Sequence, residues 1–108
     1  MVKRSFLLKN ELKRDIAILK ENYNPEKIIL FGSLNSGKIK EWSDIDLIVI
    51  KDTKKPFLDR IREVLLLLKP NVGMDILVYT PLEFARIKER LFFKKEISER
   101  GAVIYEKA

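Results

Sequence analysis

The sequence predicts an α/β domain in which a small mixed sheet of about four strands is covered by helices. Three observations lead there. Segments with apolar residues at helical spacing alternate with short runs rich in β-branched residues. Pro and Gly stand at the joints between these segments. The 108 residues are enough for one hydrophobic core and too few for a second folded unit, so residues 1–108 read as a single domain.

Taken in order, residues 6–22 form the first predicted helix, amphipathic through Leu8, Leu12, Ile16 and Leu19, with Asn24-Pro25 ending it. Residues 27–31 make a short buried strand that runs into Gly32-Ser33, where a turn and a polar loop are expected. The second strand covers 44–51. After Lys54-Lys55-Pro56, a helix over 57–68 places Phe57, Ile61, Val64, Leu65 and Leu68 on one face, and Pro70-Asn71 punctuates the chain. A third strand spans 73–80. Pro81 opens the next helix, where its missing N–H is harmless, and that helix or helix pair is predicted to reach residue 99 before a last strand at 101–106. No internal repeat, low-complexity tract or linker interrupts this order.

Composition narrows the chemistry. The chain has neither Cys nor His, which excludes disulfides, zinc held by nitrogen or sulfur, Ser-His and Cys-His nucleophilic sites, and a histidine base. Only hard oxygen ligands remain for a metal. The longest apolar run, Val64 to Leu68, is far short of the roughly 20 residues that span a bilayer. The basic start Met1-Val2-Lys3-Arg4 lacks the apolar region of a signal peptide, so no membrane association and a cytoplasmic location are expected. A net charge of +6 favours a polyanionic partner, nucleotide phosphates or nucleic acid. Absence of Cys, His and Gln with 35% charged residues fits a thermophile.

The informative stretch is IILFGSLNSGKIKEWSDIDLIVI, residues 28–50. Strand side chains alternate, so Asp44 and Asp46 share a face while Ile45 and Leu47 take the other, with about 6.7 Å between the aspartate Cα atoms. Their repulsion, on the order of 2.5 kcal/mol at an effective dielectric near 20, becomes attraction with a divalent cation between them. Mg²⁺ or Mn²⁺ suits such carboxylates. Asp75, a lone carboxylate in VGMDILVY, joins them if its strand lies beside the second. Gly32-Ser33 supplies the other half of a site, since a strand ending in Gly-Ser lets a phosphate approach the backbone and offers a hydroxyl. Lys38 and Lys40 follow in the loop, where they would neutralise a triphosphate. Metal plus phosphate grip implies phosphoryl or nucleotidyl transfer.

Gly32-Ser33, ten residues, then Asp44-Ile45-Asp46, with Asp75 on a later strand, resembles the minimal nucleotidyltransferases of the DNA polymerase β superfamily. The likeness extends to Thr80-Pro81 with Glu83 and to the closing Ile104-Tyr105-Glu106. It implies the nucleotidyltransferase fold, with a mainly antiparallel or mixed sheet. It further implies that Asp44 and Asp46 bind metal, that Asp75 helps activate an acceptor, that Gly32 and Ser33 hold nucleotide phosphates, and that ATP is the substrate. Many relatives are antitoxins that silence a helical HEPN ribonuclease by transferring AMP to it, so a HEPN-type toxin is the implied partner. In one respect the chain departs from those relatives. They often carry a basic residue after the Ser of the turn, where this chain has Leu34-Asn35-Ser36-Gly37.

Other readings compete at each feature. Ser43-Asp44 as a turn cap and Asp46 as an edge-strand charge would explain the pair without a metal. Lys38 and Lys40 read equally as solvated loop residues. Arg86, Lys88, Arg90, Lys94 and Lys95 make a solvated helix face or, in the alternative of a basic RNA-binding domain, a nucleic-acid patch. Leu91-Phe92-Phe93 cannot all face inward on one helix, which marks either a break or a docking surface. A domain this short needs a partner protein to present the acceptor, or a second copy of the chain in a homo-oligomer to complete the site. An antitoxin acting by binding alone is the remaining alternative.

Overall fold

The computed structural model describes residues 3–90, 94–95 and 100–108. Four strands form one mixed sheet in the order β3-β2-β1-β4. These are β1 (Lys27–Phe31), β2 (Ile45–Ile50), β3 (Met74–Tyr79) and β4 (Ala102–Glu106). β1 pairs antiparallel with both β2 and β4, and β2 pairs parallel with β3. The helices are α1 (Arg4–Asn22), α2 (Gly32–Ser36), α3 (Phe57–Leu68) and α4 (Pro81–Ile87). The expected mixed α/β architecture is therefore present. α3 is the crossover that a parallel strand pair requires.

Alternation along the strands divides the sheet into two faces. Ile45, Leu47 and Val49 of β2, with Ile28, Leu30, Ile76 and Val78, pack against Leu8 and Leu19 of α1 and Val64 and Leu68 of α3 in the main core. The opposite face carries Ile29, Ile48 and Ile50, joined by Phe31, Leu77, Tyr79 and Phe84. Asp46 and Asp75 belong to this second face by the same alternation. β2 is a central strand, so Asp46 is not an edge-strand charge.

Two expectations about the helices are corrected. In α1 the buried positions are Leu8, Glu11, Asp15 and Leu19, while Leu12 and Ile16 are half-buried. The inward stripe is rotated because Arg14 makes acidic burial tolerable. Its Nη1 donates to Glu11 Oε2 at 2.7 Å and to Asp15 Oδ1 at 2.9 Å, and its Nη2 donates to the Leu68 carbonyl at the end of α3. Asn71 adds its backbone amide and side chain to Glu11 Oε1. The second correction concerns Gly32-Ser33, which opens a short helix rather than a loop. Gly32 turns the chain at φ +73°, Leu34 is buried in the main core, and Gly37, at φ +82°, donates its amide to the Ser33 carbonyl. A helix of five residues is too short to show periodicity in a sequence.

At the other end of the sheet, α4 begins with a capping box, Glu83 N–H donating to Thr80 Oγ1 and Thr80 N–H to Glu83 Oε1. It ends at Ile87, so within the described residues it accounts for the first part of the helix or helix pair expected to reach residue 99. The expected continuation through 91–93 and 96–99, including the Leu91-Phe92-Phe93 cluster, lies outside the described residues.

Candidate active site

Asp46 lies opposite Phe31 on β1 and opposite Asp75 on β3. Neighbouring strands stand about 4.8 Å apart, which puts two carboxyl groups side by side on one face of the sheet. Burial, then the adjoining Asp75 carboxyl, then the charge of Asp44 push the Asp46 carboxyl up to about 6. The raised value reflects the cost of holding charge on Asp46 beside its acidic neighbours, a cost that a divalent cation would relieve.

Gly32 makes the place for Asp46. A Cβ at position 32 would sit 2.9 Å from Asp46 Cγ, inside contact distance, so the carboxylate rests against a bare Cα at the start of α2. From sequence alone this glycine was expected to leave room for a phosphate, but the room closest to it is taken by Asp46. Gly73 does the same for Asp44. A Cβ there would be 2.6 Å from Asp44 Cγ and 2.9 Å from its Oδ2. Register explains this, since Ile45 pairs with Met74 and Asp44 therefore faces Gly73.

Asp44 also meets a residue whose role the sequence did not suggest. Arg4, in the first turn of α1, donates from Nε to the Ser43 carbonyl at 2.9 Å and brings Nη2 to 3.6 Å from Asp44 Oδ1. Among the described residues no three acidic side chains stand close enough together to hold a metal ion unaided. The donor set nearest to that role is Asp46 and Asp75, with Asp44 held towards Arg4. Two carboxylates with positions left for phosphate oxygens and water suit Mg²⁺, which is commonly held by one or two protein carboxylates plus substrate.

Lys38 and Lys40 are exposed in the segment between α2 and β2. Lys40 donates its amide to Ser43 Oγ at 2.8 Å and lays Nζ over the Trp42 ring, 5.4 Å from the centroid. Neither lysine contacts Asp46 or Asp75. Ser33 is half-buried one residue beyond Gly32. A cleft of about 410 Å³ opens at the carboxylate pair, bounded by Phe31, Asp46 and Asp75 and running over the β3 edge to Ile61 and Leu65.

Residues 13–108 match the polymerase beta nucleotidyltransferase family. The chain belongs to that family. Among solved structures, this nucleotidyltransferase-family domain is similar to a candidate nucleotidyltransferase from Sulfolobus solfataricus, with 17% identity and a TM-score of 0.60 over 98% of this chain and 91% of that one. A toxin-antitoxin structure containing AMP-PNP aligns with 18% identity and a TM-score of 0.54, covering 91% of this chain and 74% of the other. At such identities the likeness establishes the nucleotidyltransferase fold. No curated protein matches the chain. No helix of the described residues is long and apolar enough to cross a membrane.

Proposed function

We propose that this nucleotidyltransferase-family domain transfers AMP from ATP to a hydroxyl of a partner protein, as the antitoxin of a toxin-antitoxin pair whose toxin is of the helical HEPN type. The observation that carries the proposal is the Asp46–Asp75 pair, in register on parallel strands and beside Gly32. Membership of the family supports nucleotidyl transfer, and the toxin-antitoxin neighbour supports the kind of partner.

In this reading Asp44, Asp46 and Asp75 hold Mg²⁺ or Mn²⁺, which when bound neutralises charge on the phosphates and on the departing pyrophosphate. Gly32 and Ser33 receive the nucleotide phosphates, with Lys38 and Lys40 as counter-charges from the adjoining loop. Asp75, exposed on the edge strand, accepts the proton of the acceptor hydroxyl. The acceptor oxygen bonds to the α-phosphorus as the bond to the β-phosphate oxygen breaks, and pyrophosphate leaves. Asp46 stays beneath, anchored against Gly32.

Mixing the protein with the helical product of a neighbouring gene, ATP and Mg²⁺ is expected to add one or more units of roughly 329 Da to that partner, read by intact mass spectrometry. Asp75→Asn is expected to suppress the added mass while leaving the complex intact. Leu34 favours a second reading. It is buried in the core within the turn Leu34-Asn35-Ser36, where relatives often carry a basic residue, and the turn brings no cation of its own. A stable complex that inhibits the toxin with no added mass would establish an antitoxin that acts by binding alone.

A further inference from the structure

Arg4 comes to Ser43 across 39 residues of sequence and to Asp44 beside it, and its two contacts have different chemistry. The Nε bond to the Ser43 carbonyl, at 2.9 Å, is a well-formed hydrogen bond to backbone. The Nη2 contact with Asp44, at 3.6 Å, is a loose ion pair in which the two side chains are 28% and 44% exposed. A guanidinium tethered by one edge and loosely paired at the other can exchange its second partner without leaving the site. Its surroundings suit an anion. Lys3, Arg4 and Lys40 outnumber the single carboxylate, Glu41, in the lining of a groove of about 510 Å³ between the start of α1 and the loop before β2. The acidic first-turn residue that usually complements a helix N-terminus is absent from α1.

We infer that Arg4 exchanges partners at the site: it neutralises Asp44 while the site holds no cation, and turns to the nucleotide triphosphate when a cation claims Asp44. The inference rests on the metal and nucleotide reading given above. Gly73 makes the exchange feasible, because with no Cβ at 73 the Asp44 carboxylate has nothing of that residue to pass when it moves towards Asp46. A divalent ion at Asp46 and Asp75 would draw Asp44 off Arg4, and the released Nη edge, still held near Ser43 by Nε, would face phosphate oxygens. Arginine suits both partners, since its fork matches carboxylate and phosphate alike.

Exchange makes a prediction that a purely structural role does not. Removing the Arg4 charge should help a bare cation and harm a nucleotide. Calorimetric titration of the full chain with Mn²⁺ alone is expected to show Arg4→Gln binding roughly two- to fivefold more tightly than wild type, the size expected for losing an exposed competing ion pair. Titration with ATP in saturating Mg²⁺ is expected to show the same variant binding roughly tenfold more weakly, the scale of one charged hydrogen bond. Arg4→Lys, which keeps the charge but not the fork, should leave Mn²⁺ affinity near wild type and still weaken ATP. Circular dichroism verifies that each variant is folded, and Arg4→Lys carries the ATP arm if Arg4→Gln is not. Both affinities moving in the same direction, or neither moving, overturns the exchange. If wild type fails to bind Mn²⁺, or if Asp46→Asn with Asp75→Asn leaves Mn²⁺ binding unchanged, the metal reading itself falls and the exchange falls with it.

Discussion

Gly32 and Gly73 each hold a carboxylate against a bare Cα, yet they should respond differently to substitution. At Gly32 the backbone is left-handed, so Gly32→Ala combines roughly 1–2 kcal/mol of backbone strain with displacement of Asp46. A fall in melting temperature of several degrees and loss of Mg²⁺-dependent ATP binding are expected from thermal scans and calorimetry. Gly73 needs no left-handed backbone, and the atoms in the way are the end of a flexible side chain. Gly73→Ala should therefore leave the melting temperature within about two degrees of wild type while weakening metal-dependent binding of ATP. Asp15 supports a prediction about pH. Burial, then its contact with Glu11, push it up to about 8, while Glu11 is held low because its bonds with Asp15, Asn71 and Arg14 outweigh its own burial. The folded state thus keeps a proton on Asp15 that the unfolded chain releases near pH 3.8, so this residue's contribution to stability is lost as pH rises from about 4 to about 8. Asp15→Asn should gain on wild type in melting temperature across that window and show no further gain above it. That Asp46 and Asp75 would share one face of the sheet was legible in the sequence, because each is a lone carboxylate at a fixed step within an apolar strand, whereas Asp44, expected to converge with them, lies just before β2 and pairs with Arg4. Arg4 and Gly73 were not, since nothing local says that Arg4 will meet Ser43, or that Gly73 will face Asp44 across a strand pair.

Among the elements, the strands were legible to within a residue or two and α3 to the residue, because its apolar face and flanking prolines agree. α2 was hidden by its brevity, and the buried stripe of α1 was misread because acids that belong inside only in company with Arg14 look like solvent residues in isolation. α4 is held by a device that spans three elements. Arg60 of α3 is buried and donates Nη1 to the Val78 carbonyl at 3.2 Å and to Glu83 Oε1 at 2.7 Å, while its Nε donates to the Lys55 carbonyl at 2.7 Å. Its pairing with Glu83, followed by the Thr80 amide, holds the Glu83 carboxyl below the usual range. Thr80→Ala, which removes only the cap, should cost about 1 kcal/mol in urea unfolding. Arg60→Ala should cost more, about 3 kcal/mol, because it also opens space beside Phe57 and strips the partner from Glu83. Equal losses from the two variants would mean that Arg60 adds nothing beyond the cap.

For the whole molecule, the proposed function makes a prediction about global stability. A cation and nucleotide that bind only the folded chain should raise its melting temperature, by several degrees at concentrations near 100 times the dissociation constant. Millimolar Mg²⁺ with ATP is the test, and the double variant Asp44→Asn with Asp46→Asn should abolish the shift. A shift that survives would place the cation elsewhere. The sheet order also governs how the domain is made. β4 supplies the outer partner of β1, with Lys27 beside Glu106, so a strand synthesised early waits for one synthesised some 75 residues later. Such distant pairing slows folding. While the chain is on the ribosome, the strand leading into Gly32 has one flank unpaired, and the Ile29 side chain sits on a sheet face still being built. A nascent chain stalled before residue 102 should therefore present that flank of β1 to chaperones or proteases until β4 pairs with it.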